Sequence, residues 1–202
     1  MTLLTLLRHG ETDWNLQRRI QGSSDIPLNE TGRAQARAAG LRLAEESPAD
    51  LPIVMAASSL SRAQETAQII ADVLEVDPPV IVPDLRERAY GEAEGLNDEE
   101  FLARWGDWGS ADVPGAEPWE AVRERAVRGM RALVALARQR SGPAGCHVVA
   151  VSHGATIRAV LRHATGDPHA AAGIRLANGS AHTFLVERDR LRLLSSPALA
   201  SD

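Results

Sequence analysis

The chain has 202 residues, 44% of them apolar, which suffices to bury one substantial core and sits near the upper length of a single domain, so one domain over 1–202 is expected. Its 22 Lys and Arg against 27 Asp and Glu give a net charge of −5, which argues against a general affinity for nucleic acid or acidic membranes and makes any anion site local. A lone cysteine, Cys146, excludes an intrachain disulfide and a thiolate metal cluster.

The first apolar run, residues 3–7, has no basic leader and is too short for a signal-peptide core, and no later stretch has membrane-spanning length. A soluble cytoplasmic protein is expected. Further apolar runs lie at 52–57, 80–82 and 147–151. They alternate with amphipathic stretches rich in Ala, Leu, Arg, Glu and Gln at 29–46, 60–74, 117–139 and 155–164, which predicts an α/β sheet. Asn29 is placed to cap the first helix, and Gly142-Pro143 to stop the third. "SAHTFLVERDRLRLLS" predicts two antiparallel strands at a sheet edge around a turn at Arg188-Asp189. Residues 83–118 form the least regular part, and Trp105 and Trp108 within it are expected to pack in a core, with Trp119 just beyond.

Two apolar runs end alike, in "RHG" at Arg8-His9-Gly10 and "SHG" at Ser152-His153-Gly154. In an open α/β sheet, ligands sit beyond the carboxyl ends of the strands, where helix N–H groups attract anions and a glycine lets a ligand approach closely. A single strand-end histidine more often bonds a carbonyl; two matched ones with arginine at hand point to a phosphoryl group. Arg62 lies just inside the start of the helix after residues 52–57, and the acidic loop "PDLRERAYGEAEG" follows residues 80–82. His147, His163, His169 and His182 have no metal-ligand spacing and read as ordinary core or surface residues.

Taken in order, "LRHGETDWN", "GSSDIPLNETGRAQA", "SSLSRAQETA", "LRERAYGEAEG" and "VSHGATIRAV" resemble the histidine phosphatase superfamily, which contains cofactor-dependent phosphoglycerate mutases and many phosphatases. The resemblance covers about residues 3–159; the C-terminal part carries no signature. It implies a three-layer α/β/α, phosphoglycerate mutase-like fold with a mostly parallel central sheet and an antiparallel edge strand. It also implies that His9 becomes phosphohistidine, that Arg8, Arg62 and His153 grip the phosphoryl oxygens, that Asn15 adds a hydrogen bond, and that Gln21 and Gly22 lie on the pocket rim. Glu87 would be the proton donor and later the base for water. Asp84 is the rival, and spacing alone does not decide between them. For the attack, His9 needs an unprotonated nitrogen, whereas His153 helps most as a donor or cation.

Metal and cofactor are not needed in this scheme, because cationic side chains neutralise the phosphoryl oxygens. Between Tyr90 and Trp119 only Arg104 is a cation, against Glu92, Glu94, Asp98, Glu99, Glu100, Asp107, Asp112 and Glu117, and such a segment is expected to repel a second phosphate. The expected activity is hydrolysis of a small phosphorylated metabolite, with a phosphoglycerate mutase or a non-enzymatic phospho-ligand module as alternatives, no nucleic acid or membrane partner, and a homodimer left open. Glu65 and "GAEPW" depart from the resembled pattern on the substrate side.

Overall fold

The computed structural model describes residues 1–108, 110–142, 145–187 and 190–199. The first apolar run forms β1 (Thr2–Arg8), and the other continuous runs form β2 (Ile53–Ala57), β3 (Val80–Ile81) and β4 (Cys146–Ser152). These four strands are mutually parallel, in the order β3-β2-β4-β1. Every residue of β4 is buried, as a strand covered on both faces requires. Next to β1 come β5 (Ala181–Val186), antiparallel to it, and β6 (Leu191–Ser195), antiparallel to β5. The sheet is thus mostly parallel with the expected antiparallel pairing at one side; the reversed strand, β5, lies one in from the edge that β6 closes. The predicted turn at Arg188-Asp189 lies outside the described residues, as does Pro143.

Helices α2 (Glu30–Glu46) and α3 (Ser61–Leu74) cover one face, burying Leu43, Ala67 and Ile70 against Leu7, Val149 and Val151. The opposite face carries α5 (Trp119–Ser141) and α6 (Gly154–Thr165), whose Met130, Leu133 and Ile157 pack on Leu4, Leu6 and Val148. Alternation along β4, with Val148 on one side and Val149 on the other, divides the core into these two layers. Asn29 caps α2 as predicted, its side-chain oxygen accepting from Gly32 N–H at 2.9 Å.

Two short helices fall where loops were expected: α1 (Asp13–Leu16) and α4 (Asp98–Trp105). Each begins with a reciprocal capping box, Thr12 with Asn15 and Asn97 with Glu100. Residues 83–118 build a small core of their own from Ala93, Phe101 and Val113, with Trp105 packed against it. Trp108 stacks on Phe101 with ring centroids 3.7 Å apart. Among the described residues, no helix is long and apolar enough to cross a membrane.

Candidate active site

Because β1 and β4 are adjacent and parallel, with Arg8 level with Ser152, the two similar strand ends lie side by side. His9 N–H donates to the Ser152 carbonyl at 3.0 Å, and the rings of His9 and His153 stand 5.1 Å apart. His9 is 2% exposed. Its Nδ1 donates to the Gly10 carbonyl at 2.7 Å; a carbonyl can only accept, so Nδ1 carries the proton. Burial first, then the positive charges of Arg62 and Arg8, hold its pKa well below that of an ordinary imidazole. The ring is neutral, with the lone pair on Nε2.

Burial, Arg62, His9 and Arg8 likewise hold His153 well below the ordinary value, so it is a neutral donor and not a cation. Its Nε2 is 2.6 Å from Ser58 Oγ, which also accepts from Leu60 N–H at 3.3 Å; this hydroxyl can give its proton to Nε2 or accept one from it.

Arg62, in the first turn of α3, is fully buried and donates from Nη1 to Ser24 O and from Nη2 to Gly22 O, both at 2.8 Å. That loop is fastened by the Glu94 carboxylate, which accepts from the N–H and hydroxyl groups of Ser23 and Ser24 and from Tyr90 N–H, at 2.7–3.0 Å. Burial pushes Glu94 upward, but the bonds from Ser24, Ser23 and Tyr90 outweigh it and hold its carboxyl below the usual range. Gly22 has φ +55, and a Cβ there would lie 2.1 Å from Glu94 Oε1, so both backbone shape and space demand glycine. Arg8 donates from Nη1 to Leu176 O, and burial lowers its pKa to about 10 against the opposing pull of Glu87.

Among the described residues, the buried side-chain nitrogens without a hydrogen-bond partner are Arg8 Nε, Arg62 Nε, His153 Nδ1 and Arg162 Nε. Three of these belong to the residues expected to hold a phosphoryl group. Arg8 and Arg62 line a cavity of about 190 Å³ together with His9, Asn15, Gln21, Gly22 and Glu87, while His153, outside that lining, stands beside His9 with ring centroids 5.1 Å apart. Asn15 Oδ1 accepts from Thr12 N–H at 3.2 Å and from Asn178 Nδ2 at 3.1 Å, which leaves its NH₂ for a ligand. Gln21 Oε1 accepts from the Thr12 hydroxyl at 3.0 Å.

Glu87 lies at the start of α6, accepting from Ala155 N–H at 3.1 Å and from Thr156 N–H at 3.4 Å. The helix N–H groups expected to face an anion are therefore occupied by this carboxylate. Asp84 instead pairs with Arg128 through both oxygens at 2.9 Å and does not line the cavity. Of the two acids, Glu87 lines the cavity and Asp84 does not.

A family model described as "Histidine phosphatase superfamily (branch 1)" matches residues 4–197. The chain belongs to the histidine phosphatase superfamily. It is 36% identical over 193 residues to "Uncharacterized phosphatase PhoE" of Bacillus subtilis (strain 168), covering 96% of this chain and 93% of the relative. It is 38% identical over 173 residues to "2,3-bisphosphoglycerate-dependent phosphoglycerate mutase 2" of Gloeobacter violaceus, covering 80% and 74%. The solved structure of "Mycobacterial hydrolase 1" superposes with a TM-score of 0.81 at 28% identity, covering 97% of this chain and 98% of that one.

Within this histidine phosphatase frame, several site residues stand without a role assigned from the sequence, although Tyr90 lies within "LRERAYGEAEG" and Arg158 within "VSHGATIRAV". Tyr90, Arg158 and Arg175 line the cavity. Asn178 donates to both His9 O and Asn15 Oδ1, at 3.0 and 3.1 Å. Arg125 of α5 donates to the carbonyls of Asp84, Arg86 and Glu87 at 2.7–3.0 Å, fixing the backbone that carries Glu87. Arg158 lies one helical turn after Gly154, a spacing that could have marked it; Arg175 and Asn178 sit in an irregular stretch without such a signal.

Two sequence arguments change. Gly10 serves packing: a Cβ there would lie 2.4 Å from Gly32 O, so it lets the loop after β1 touch α2. The acids of 91–118 do not form a uniformly repelling wall either, because Glu94 braces the 22–24 loop and Glu117 pairs with Arg125 at 2.7 Å. The departure at Glu65 ties α3 to Arg33 of α2 at 2.6 Å, outside the cavity lining.

Proposed function

We propose that this chain is a metal-independent phosphomonoester hydrolase of the cytoplasm, working as one domain on small phosphorylated metabolites through a phosphohistidine on His9. One observation carries the reading: a neutral His9 with its lone pair on Nε2, beside two buried guanidiniums whose Nε donors have no partner. An anion with several acceptor oxygens is the ligand that such donors suit.

In the proposed reaction, His9 Nε2 attacks phosphorus, the P–O bond to the alcohol breaks, and Glu87 gives its proton to the departing oxygen. Water then attacks the phosphorus, Glu87 takes its proton, and the N–P bond breaks to release phosphate. Arg8, Arg62, His153 and the Asn15 NH₂ meet the charge on the equatorial oxygens, the task a divalent ion performs in other phosphoryl transferases. Gln21 and Gly22 bound the pocket on the leaving-group side.

Water as the acceptor is supported by the wide outer cleft, whose tryptophans, Trp108 and Trp119, remain 38% and 42% exposed. A second reading, phosphoglycerate mutase, is favoured by the arginines lining that cleft and by the mutase relative. Acid-labile phosphate on His9 during turnover, with hydrolysis that survives a chelator, is the expected result. Full hydrolysis by His9→Ala, or its loss on chelation, would overturn the proposal; phosphoglycerate isomerisation with a bisphosphorylated primer would favour the mutase.

A further inference from the structure

Beyond the 190 Å³ cavity the cleft opens into a chamber of about 1130 Å³, and Arg8, Asn15, Arg19, Ile20, Tyr90, Arg158 and Arg175 line both, so the two spaces are continuous. A phosphoryl group with a three-carbon alcohol is small beside the combined volume. The chamber wall adds Arg18 and Arg162, against two carboxylates, Asp98 and Asp107. This concentration of cations stands on a chain whose net charge is −5.

Arginines elsewhere in the fold divide between those paired with carboxylates and those, such as Arg42 and Arg138, held by backbone carbonyls. Arg33, Arg86, Arg123, Arg125, Arg128, Arg190 and Arg192 have carboxylate partners, whereas none of Arg18, Arg19, Arg158, Arg162 and Arg175 is in an ion pair among the described residues. Neutral carbonyls hold three of them: Arg19 Nη1 donates to Gly95 O at 2.6 Å, Arg158 Nη2 to Ile174 O at 2.6 Å, and Arg175 Nη2 to Asn15 O at 3.4 Å. A carbonyl fixes a guanidinium in place without cancelling its charge. Arg162 Nε is buried and has no partner.

An aromatic face adjoins this charge. The Trp119 ring has the Arg88 guanidinium 4.3 Å and the Arg162 guanidinium 6.0 Å from its centroid, and Trp108 meets Tyr90 edge-on at 6.2 Å. Such a surface suits a planar group lying against tryptophan with an anion beside it.

Resting on the phosphatase reading, we propose that this chamber is a second subsite for the leaving group. The preferred substrate is a phosphomonoester larger than a three-carbon acid, bearing a second anionic group and a planar ring. Arg158, Arg162 and Arg175 meet the second anion, and Trp108 and Trp119 meet the ring.

The test compares kcat/KM for glycerol 1-phosphate, 3-phosphoglycerate, adenosine 5′-monophosphate and adenosine 3′,5′-bisphosphate. The bisphosphate is expected to exceed each of the others about tenfold or more, as one well-placed charged contact allows. Arg162→Gln should reduce its advantage over glycerol 1-phosphate at least about fivefold, and Arg162→Lys, which keeps the charge, should restore part of it. Hydrolysis of glycerol 1-phosphate with no advantage for the bisphosphate would overturn this proposal and leave the phosphatase reading standing. A preference for 3-phosphoglycerate, or an advantage unmoved in Arg162→Gln, would also overturn it. Absence of hydrolysis toward all four esters would sink both readings.

Discussion

Arg125 and Glu117 meet in a two-pronged ion pair, Nε to Oε1 at 2.7 Å and Nη2 to Oε2 at 2.8 Å, with Arg125 only 3% exposed. The remaining guanidinium donors hold the carbonyls of Asp84, Arg86 and Glu87, so the pair braces the loop that presents Glu87. Glu117→Ala leaves that cation buried without its counter-charge. A loss of about 3–5 kcal/mol in urea unfolding is expected, together with a fall in kcat that exceeds any rise in KM. An unmoved unfolding midpoint would show that the pair braces nothing.

Arg62→Ala should lower kcat on the order of 10²–10³-fold, the usual cost of losing one preorganised donor at a developing charge. The carbonyls of Gly22 and Ser24 lose their partners as well, so unfolding should be followed alongside. Arg62→Lys supplies the charge without the fork, and is expected to recover stability better than turnover.

Gly10→Ala tests packing. Its methyl group would meet backbone at Gly32 O, 2.4 Å away, which no side-chain rotation relieves. A destabilisation of about 1–3 kcal/mol is expected, with a loss of activity because the residue follows His9 directly. Thermal unfolding and kcat measure the two effects.

Stability should fall in acid through buried imidazoles. His147, between Thr5 Oγ1 at 2.9 Å and Ser47 Oγ at 3.1 Å, is lowered by burial from 6.5 to about 4. His182, between Ser180 Oγ at 3.2 Å and Ser196 Oγ at 2.8 Å, is lowered likewise to about 4. Both folded values lie below the unfolded one, so the unfolded chain binds protons first as pH falls. The stabilisation is full above about pH 6.5 and is lost between there and about pH 4, with a slope of up to about 2.7 kcal/mol per pH unit for two protons. His9 and His153 act in the same direction. Urea titrations across this window should show the slope, and His147→Gln should flatten it by one proton.

Much of this arrangement is legible in the sequence because burial imposes period. The apolar runs that end at "RHG" and "SHG" are β1 and β4, and their parallel pairing follows from the alternation of strand and helix. Helices α1 and α4 escaped because each has only a turn or two, although Thr12 with Asn15 and Asn97 with Glu100 signalled their starts. That Glu87 lines the cavity while Asp84 turns to Arg128 of α5 depends on a contact across the fold, which local spacing does not encode. The acids of 91–118 were misjudged for a related reason: a charge count does not reveal that Glu94 and Glu117 turn inward to serine and arginine.

Asn178 ties the backbone of His9 to Asn15 from the irregular stretch just before β5. The five motif segments end some twenty residues earlier in the chain, yet the seat of His9 is finished by an amide that none of them contains. Cutting the chain after α6 would remove Asn178 together with Arg175, which lines the cavity, so a late stretch of the polypeptide completes a site that its first strand begins.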